Sequence, residues 1–119
     1  MAYQWMELQH RTKRFAVQIV GLFKTLSQPE EARIIGKQLL RSGTSVATNY
    51  RAVCRARSKA EFISKLGIVV EEADETVFWL DLLVETELMR KETVADLLKE
   101  ANELLQIFAA SQKTAKNNR

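Results

Sequence analysis

Arg33, Lys37, Arg41, Arg51 and Arg55 recur at intervals that, on a helix turning about 100° per residue, bring them within about 80° of arc together with Thr44 and Thr48. A stripe of guanidinium and ammonium groups is suited to neutralising polyanions, above all phosphates. It is also what any solvated helix shows opposite a core, so the stripe alone supports a nucleic-acid contact or a plain solvated face. No aromatic pair is interleaved with it to stack bases, and no reading-helix motif accompanies it. A bound nucleic acid would therefore be held by phosphates and shape, not by base edges.

Other chemistries find less support. Glu71, Glu72, Asp74 and Glu75 form an acidic cluster, and ferritin-like bundles do hold two metals with Glu residues and Glu-x-x-His pairs. That arrangement needs histidines, and His10, the single one, is followed by Arg11-Thr12-Lys13-Arg14 rather than by carboxylates. No metal site is expected. No Ser-His-Asp set can form away from His10, no Cys-His pair is plausible, and no G-x-x-x-x-G-K-[ST] loop occurs, so neither catalysis nor a cofactor is expected. The acidic cluster reads as a solvated face or as salt-bridge partners for cations on another helix. Cys54 is alone, cannot form an internal disulfide, and reads as a buried small apolar residue.

The elements that must position these residues are helices. The chain has 119 residues, enough for one domain with a real core, and 46% are hydrophobic, yet there are four Gly and one Pro, too few for the turns of an all-β fold. The central stretch, Ser58 to Leu88, carries Ile63, Leu66, Val70, Ala73, Val77, Leu80 and Val84 in alternating steps of three and four, with Phe62, Val69, Thr76 and Leu83 widening the seam. Ser58 and Glu61 spell a capping box at its start. Before it, Leu8, Phe15, Ile19, Leu22 and Leu26 share a stripe, as do Ile35, Leu39, Val46, Tyr50, Val53 and Cys54. Ser27 with Glu30 spells a second capping box around Pro29. After it, Val94, Leu98, Ala101, Leu105 and Phe108 form a last seam, with Leu97 and Leu104 alongside. Helices are expected over about 7–26, 29–56, 58–88 and 91–111, joined by short turns into an all-α, antiparallel up-down-up-down four-helix bundle.

The lead up to Leu8 either frays or docks through Tyr3 and Trp5, and 112–119 is polar and basic and reads as a disordered tail. Gly43, which costs about 1 kcal/mol against Ala inside a helix, marks a close approach of a neighbour. No apolar run approaches the roughly 18 residues of a membrane span and the N-terminus lacks a signal peptide's apolar core, so a cytoplasmic protein is expected. The net charge is +3 and the pI about 9.2, which permits polyanion partners without requiring them.

Ile68, Trp79 and Leu82 lie opposite the central seam, interleaved with Glu72 and Glu75, with Phe78 to one side. Trp79 would be exposed on a monomer unless the N-terminal lead or its own Glu neighbours cover it. The favoured expectation is a subunit interface, where Trp is a common anchor.

The segments LRSGTSVATNYRA and SKAEFISKLGIVVEEADETVFWLDLL together resemble the four helix bundle protein family, which includes proteins encoded within intervening sequences of bacterial 23S ribosomal RNA genes. The resemblance rests on Arg41, Ser42, Ser45, Val46 and Asn49, then Ser58, Lys59, Phe62, Ile63, Leu66, Ile68, Glu72, Ala73, Glu75, Thr76, Trp79 and Leu80. It implies an antiparallel bundle, a homopentamer with a basic surface and no catalytic residues. A related branch comprises retroelement accessory proteins that bind nucleic acid and a reverse transcriptase. The implied partners are further copies of this chain, RNA or DNA, and a protein; the competing reading is a protein-interaction scaffold without direct nucleic-acid binding. Arg51 stands where that family often has Glu, and Glu71 where it often has Lys, which suggests that the two face each other across the second and third helices.

Overall fold

The structure, a computed structural model, describes residues 2–118, of which Ala2 and Tyr3 only in their backbone; docking through the Tyr3 side chain and the Arg119 end of the tail lie outside it. Four helices follow one another: α1 (Ala2–Phe23), α2 (Glu30–Val53), α3 (Lys59–Glu85) and α4 (Lys91–Asn117). They form a bundle of 48 × 21 × 21 Å in which α1 packs on α2, α2 on α3 and α3 on α4, while α1 touches α4 least. Residues that meet have nearly constant number sums, as antiparallel neighbours must. A Cβ on Gly43 would meet Ile19, one on Gly36 would meet Leu26 and Phe23, and Ser42 meets Thr76.

The helix ends follow local chemistry, with two departures from expectation. Ser58 caps α3 by accepting the Glu61 amide at 3.0 Å, but the Glu61 carboxylate turns to Lys65, also at 3.0 Å, instead of closing the box. Lys65 holds the Glu61 carboxyl below its usual range. Ser27 caps nothing, because α2 starts at Glu30 with Pro29 in the N-cap position and no side-chain bond. Beyond α3, Glu87 adopts φ 61, and the Met89 amide returns to the Leu83 carbonyl at 3.0 Å. The expected tail is also revised. Residues 112–117 carry no Gly or Pro and continue α4, where Gln112 donates to the Ile63 carbonyl at 3.4 Å and Lys59 reaches the Asn118 carbonyl. At the other end α1 begins at Ala2, so the lead is helical and Trp5 stays exposed.

The core runs the length of the bundle through Phe15, Ile19, Leu39, Val46, Leu66, Leu80, Leu83, Val94, Leu104 and Phe108, with the Tyr50 and Phe108 rings in tilted contact at 5.0 Å between α2 and α4. The buried line on α3 is Leu66, Val69, Ala73, Thr76, Leu80 and Leu83. Val70, Val77 and Val84, placed in the seam from sequence, flank it half-buried. The apolar residues of α3 spread over a wide arc with no sharp edge, so spacing alone centres its seam a few tens of degrees off. Cys54, expected buried, is half-buried.

Candidate nucleic-acid interface

The stripe residues Arg33, Lys37, Arg41, Arg51 and Arg55 are all exposed on α2 or just beyond its end, but they do not act as one row. Arg41 leans over α3, where its guanidinium meets Glu72 at 3.2 Å and also Glu75. The expected pairing of Arg51 with Glu71 does not form, because Arg51 faces α1. Arg41 bridges α2 and α3 in its place, one turn further along the acidic cluster. Arg33, Lys37, Arg51 and Arg55 make no ion pair among the described residues.

Arg51 and Arg55 open onto a groove of about 480 Å³ between α1 and α2. Ala16 and Ala47 line it, and their small side chains leave the space where two packed helices would otherwise close. Across it stand His10 and Lys13 from α1. Thr44 and Thr48 also line the groove, but their hydroxyls donate back to main-chain carbonyls: Thr44 to Leu40 at 2.7 Å, and Thr48 to Ser45 at 3.3 Å. Besides the Gln9 amide, the other side-chain donors that line the groove are those of His10, Lys13, Arg51 and Arg55. Arg33 and Lys37 sit further along α2, Lys37 about 21 Å from Arg51 at 1.5 Å per residue.

The outer face of α3 holds the second candidate surface. Ile68 is 43% exposed and Leu82 is half-buried. Trp79, expected exposed, is half-buried: its indole N–H donates to Glu75 Oε2 at 3.0 Å and the Phe78 ring stands edge-on to it at 4.9 Å. Phe78 itself is 55% exposed, the most open large apolar side chain on this helix. Among the described residues no three His, Cys, Asp or Glu side chains gather to hold a metal, and no helix is long and apolar enough to cross a membrane.

The profile of the 23S rRNA-intervening sequence protein family matches residues 5–110, nearly the whole bundle. The chain belongs to this family. Its fold is similar to the crystal structure of a protein with unknown function from the S23 ribosomal protein family of Bacteroides thetaiotaomicron VPI-5482. The TM-score is 0.82 with 37% identity, over 88% of this chain and 97% of the other. No curated protein matches.

The α1 side of the groove was not read from the sequence. His10 and Lys13 lie three residues apart on the polar face of the first helix, and the tight 24–29 connection makes that helix the antiparallel neighbour of α2. Those two facts together place them opposite Arg51 and Arg55. The partners of Arg41 escaped the sequence for a related reason, since helical spacing gives the direction of a side chain's base but not which neighbour a long arginine reaches.

Proposed function

We propose that this family member is a non-enzymatic, cytoplasmic homo-oligomer, a pentamer by resemblance, that binds nucleic acid, structured RNA or RNA/DNA, through phosphate and shape contacts. One observation carries the reading. Arg33, Lys37, Arg51 and Arg55 are exposed along α2 and just beyond its end and make no ion pair among the described residues, although the chain has carboxylates enough to hold Arg11 and Arg41 between two each. Unpaired surface cations set a positive potential that counterion release converts into affinity for a phosphate backbone. Repetition around a symmetric ring would multiply it. The expected interface is the apolar side of α3, with Ile68, Trp79 and Leu82 joined by Phe78.

The test is the affinity for a labelled structured RNA at several salt concentrations, for the wild type and a variant with Arg33, Lys37, Arg51 and Arg55 all changed to Ala. Log affinity should fall linearly with log salt, and the variant's slope should be shallower by about 0.7–0.9 for each phosphate that it no longer neutralises. Absence of binding at low salt would remove the reading. A second reading, a protein-interaction scaffold, is favoured by Arg41, whose charge is spent on Glu72 and Glu75. In that case the α3 face would hold a protein partner and the remaining cations would be solvated.

A further inference from the structure

The protein treats its arginines at helix contacts in two ways. Arg11, between α1 and α4, is held by Glu100 at 2.7 Å and Glu103 at 2.9 Å, and Arg41, between α2 and α3, by Glu72 and Glu75. The hydrogen bonds that Arg11 donates to Glu100, ahead of every other influence, hold its guanidinium protonated well above its ordinary range. At the α1–α2 contact the pattern reverses. Arg51, Arg55, Lys13 and His10 converge on one groove whose lining contains no carboxylate, and none of the four makes a side-chain hydrogen bond or ion pair among the described residues. The like charges of Arg51, Arg55 and Lys13, gathered at one concave site, repel one another, and a bound anion relieves what the fold leaves uncompensated.

The form of the anion follows from the number of cations. Arg51, in the last turn of α2, and Arg55, in the turn just beyond its end, supply two guanidinium groups to the same groove. Lys13 faces them from the other helix. A groove of about 480 Å³ is within the range of small-ligand sites, roughly 300–1,000 Å³, and admits more than one phosphate. The threonine hydroxyls on its wall already donate to main-chain carbonyls, so beyond its charges the groove offers a sugar or base chiefly the Gln9 amide.

The geometry points to a two-phosphate site in the α1–α2 groove, with Arg51 and Arg55 on one rim and Lys13 and His10 on the other. The site rests on the nucleic-acid reading only for the source of its phosphates. A strand supplies them as successive diesters, and a free diphosphate would satisfy the same side chains.

Two ligands and two variants separate the possibilities: inorganic pyrophosphate and a labelled structured RNA, each titrated into the wild type, a groove variant (Lys13→Ala, Arg51→Ala, Arg55→Ala) and a stripe-end variant (Arg33→Ala, Lys37→Ala). All five positions are exposed, so both variants should melt with the wild type. The expected result is RNA affinity lowered on the order of tenfold or more in the groove variant and less in the stripe-end variant, with a salt slope shallower by about 2–3 for the three cations removed. Pyrophosphate should compete with RNA on the wild type. Pyrophosphate bound through the groove residues without any RNA binding would uphold the site and overturn the nucleic-acid reading. RNA held equally by wild type and groove variant would overturn the site and leave that reading standing. Failure of both ligands on the wild type would remove both.

Discussion

A serine and a threonine meet in the middle of the α2–α3 contact, both fully buried. The Thr76 hydroxyl donates to Ser42 Oγ at 3.0 Å, Ser42 donates on to the Leu39 carbonyl at 3.3 Å, and the Glu72 carbonyl lies 2.8 Å from Thr76 as a second acceptor. Removing one partner strands part of a polar group in a dry contact, whereas removing both leaves a small apolar pair. Thr76→Val alone should cost about 1 kcal/mol in urea unfolding, and the double variant Ser42→Ala, Thr76→Val should recover most of it. A double variant as unstable as the sum of the singles would show that the two hydroxyls do not act together. At this scale the sequence was partly legible. Periodicity put Thr76 beside the seam and Ser42 among small residues, but it names a face and not the residue across it. The same limit misplaced the α2–α3 ion pair, which joins Arg41 to Glu72 and Glu75 instead of Arg51 to Glu71.

Elements meet where a backbone can come close. A Cβ on Gly43 would lie 3.0 Å from Ile19 Cγ1, 3.1 Å from its Cγ2 and 3.4 Å from its Cβ, and Ile19 is β-branched, fully buried and unable to swing away. Gly21 has open space instead. Gly21→Ala should stabilise by up to about 1 kcal/mol, the helix-propensity gain. Gly43→Ala should lose that gain to overpacking of about 1–3 kcal/mol and come out destabilising. Thermal unfolding of the two variants checks the contrast, and equal stabilisation by both would mean that α1 and α2 are not fixed by this contact. The role of Gly43 could be read from sequence because a glycine inside a strong helix demands a reason. The continuation of α4 through 112–117 could not. Its residues lack an apolar seam, and what holds them is Gln112 donating to α3 and Asn118 accepting from it, a tertiary effect outside any local pattern.

For the molecule as a whole, the question is what the outer face of α3 is for. Single exposed apolar residues are ordinary, but Ile68 and Phe78 share one side of one helix with half-buried Trp79 and Leu82. Reading from sequence chose Trp79 as the anchor. The structure shifts the weight, because the indole is already engaged with Glu75 and shielded by Phe78, so truncating it disturbs the subunit itself as well as any contact. Phe78 and Ile68 are the cleaner probes. Phe78→Glu and Ile68→Glu place a charge on an exposed position, so helicity and melting should change little, while a partner surface would have to bury an unpaired carboxylate. If the face joins subunits, each variant should lower the native mass toward the 13.6 kDa of one chain, and Trp79→Ala should do so with a loss of stability as well. A native mass equal to wild type in both charged variants would move the interface elsewhere. Assembly then bears on binding: one α1–α2 groove offers a few phosphate contacts, and several grooves held in one ring make the effective concentration of the second contact high once the first has formed. The charged variants should therefore lose RNA affinity in step with native mass although they leave Arg51, Arg55 and Lys13 untouched, and RNA affinity that survives dissociation would assign the whole of the binding to a single subunit.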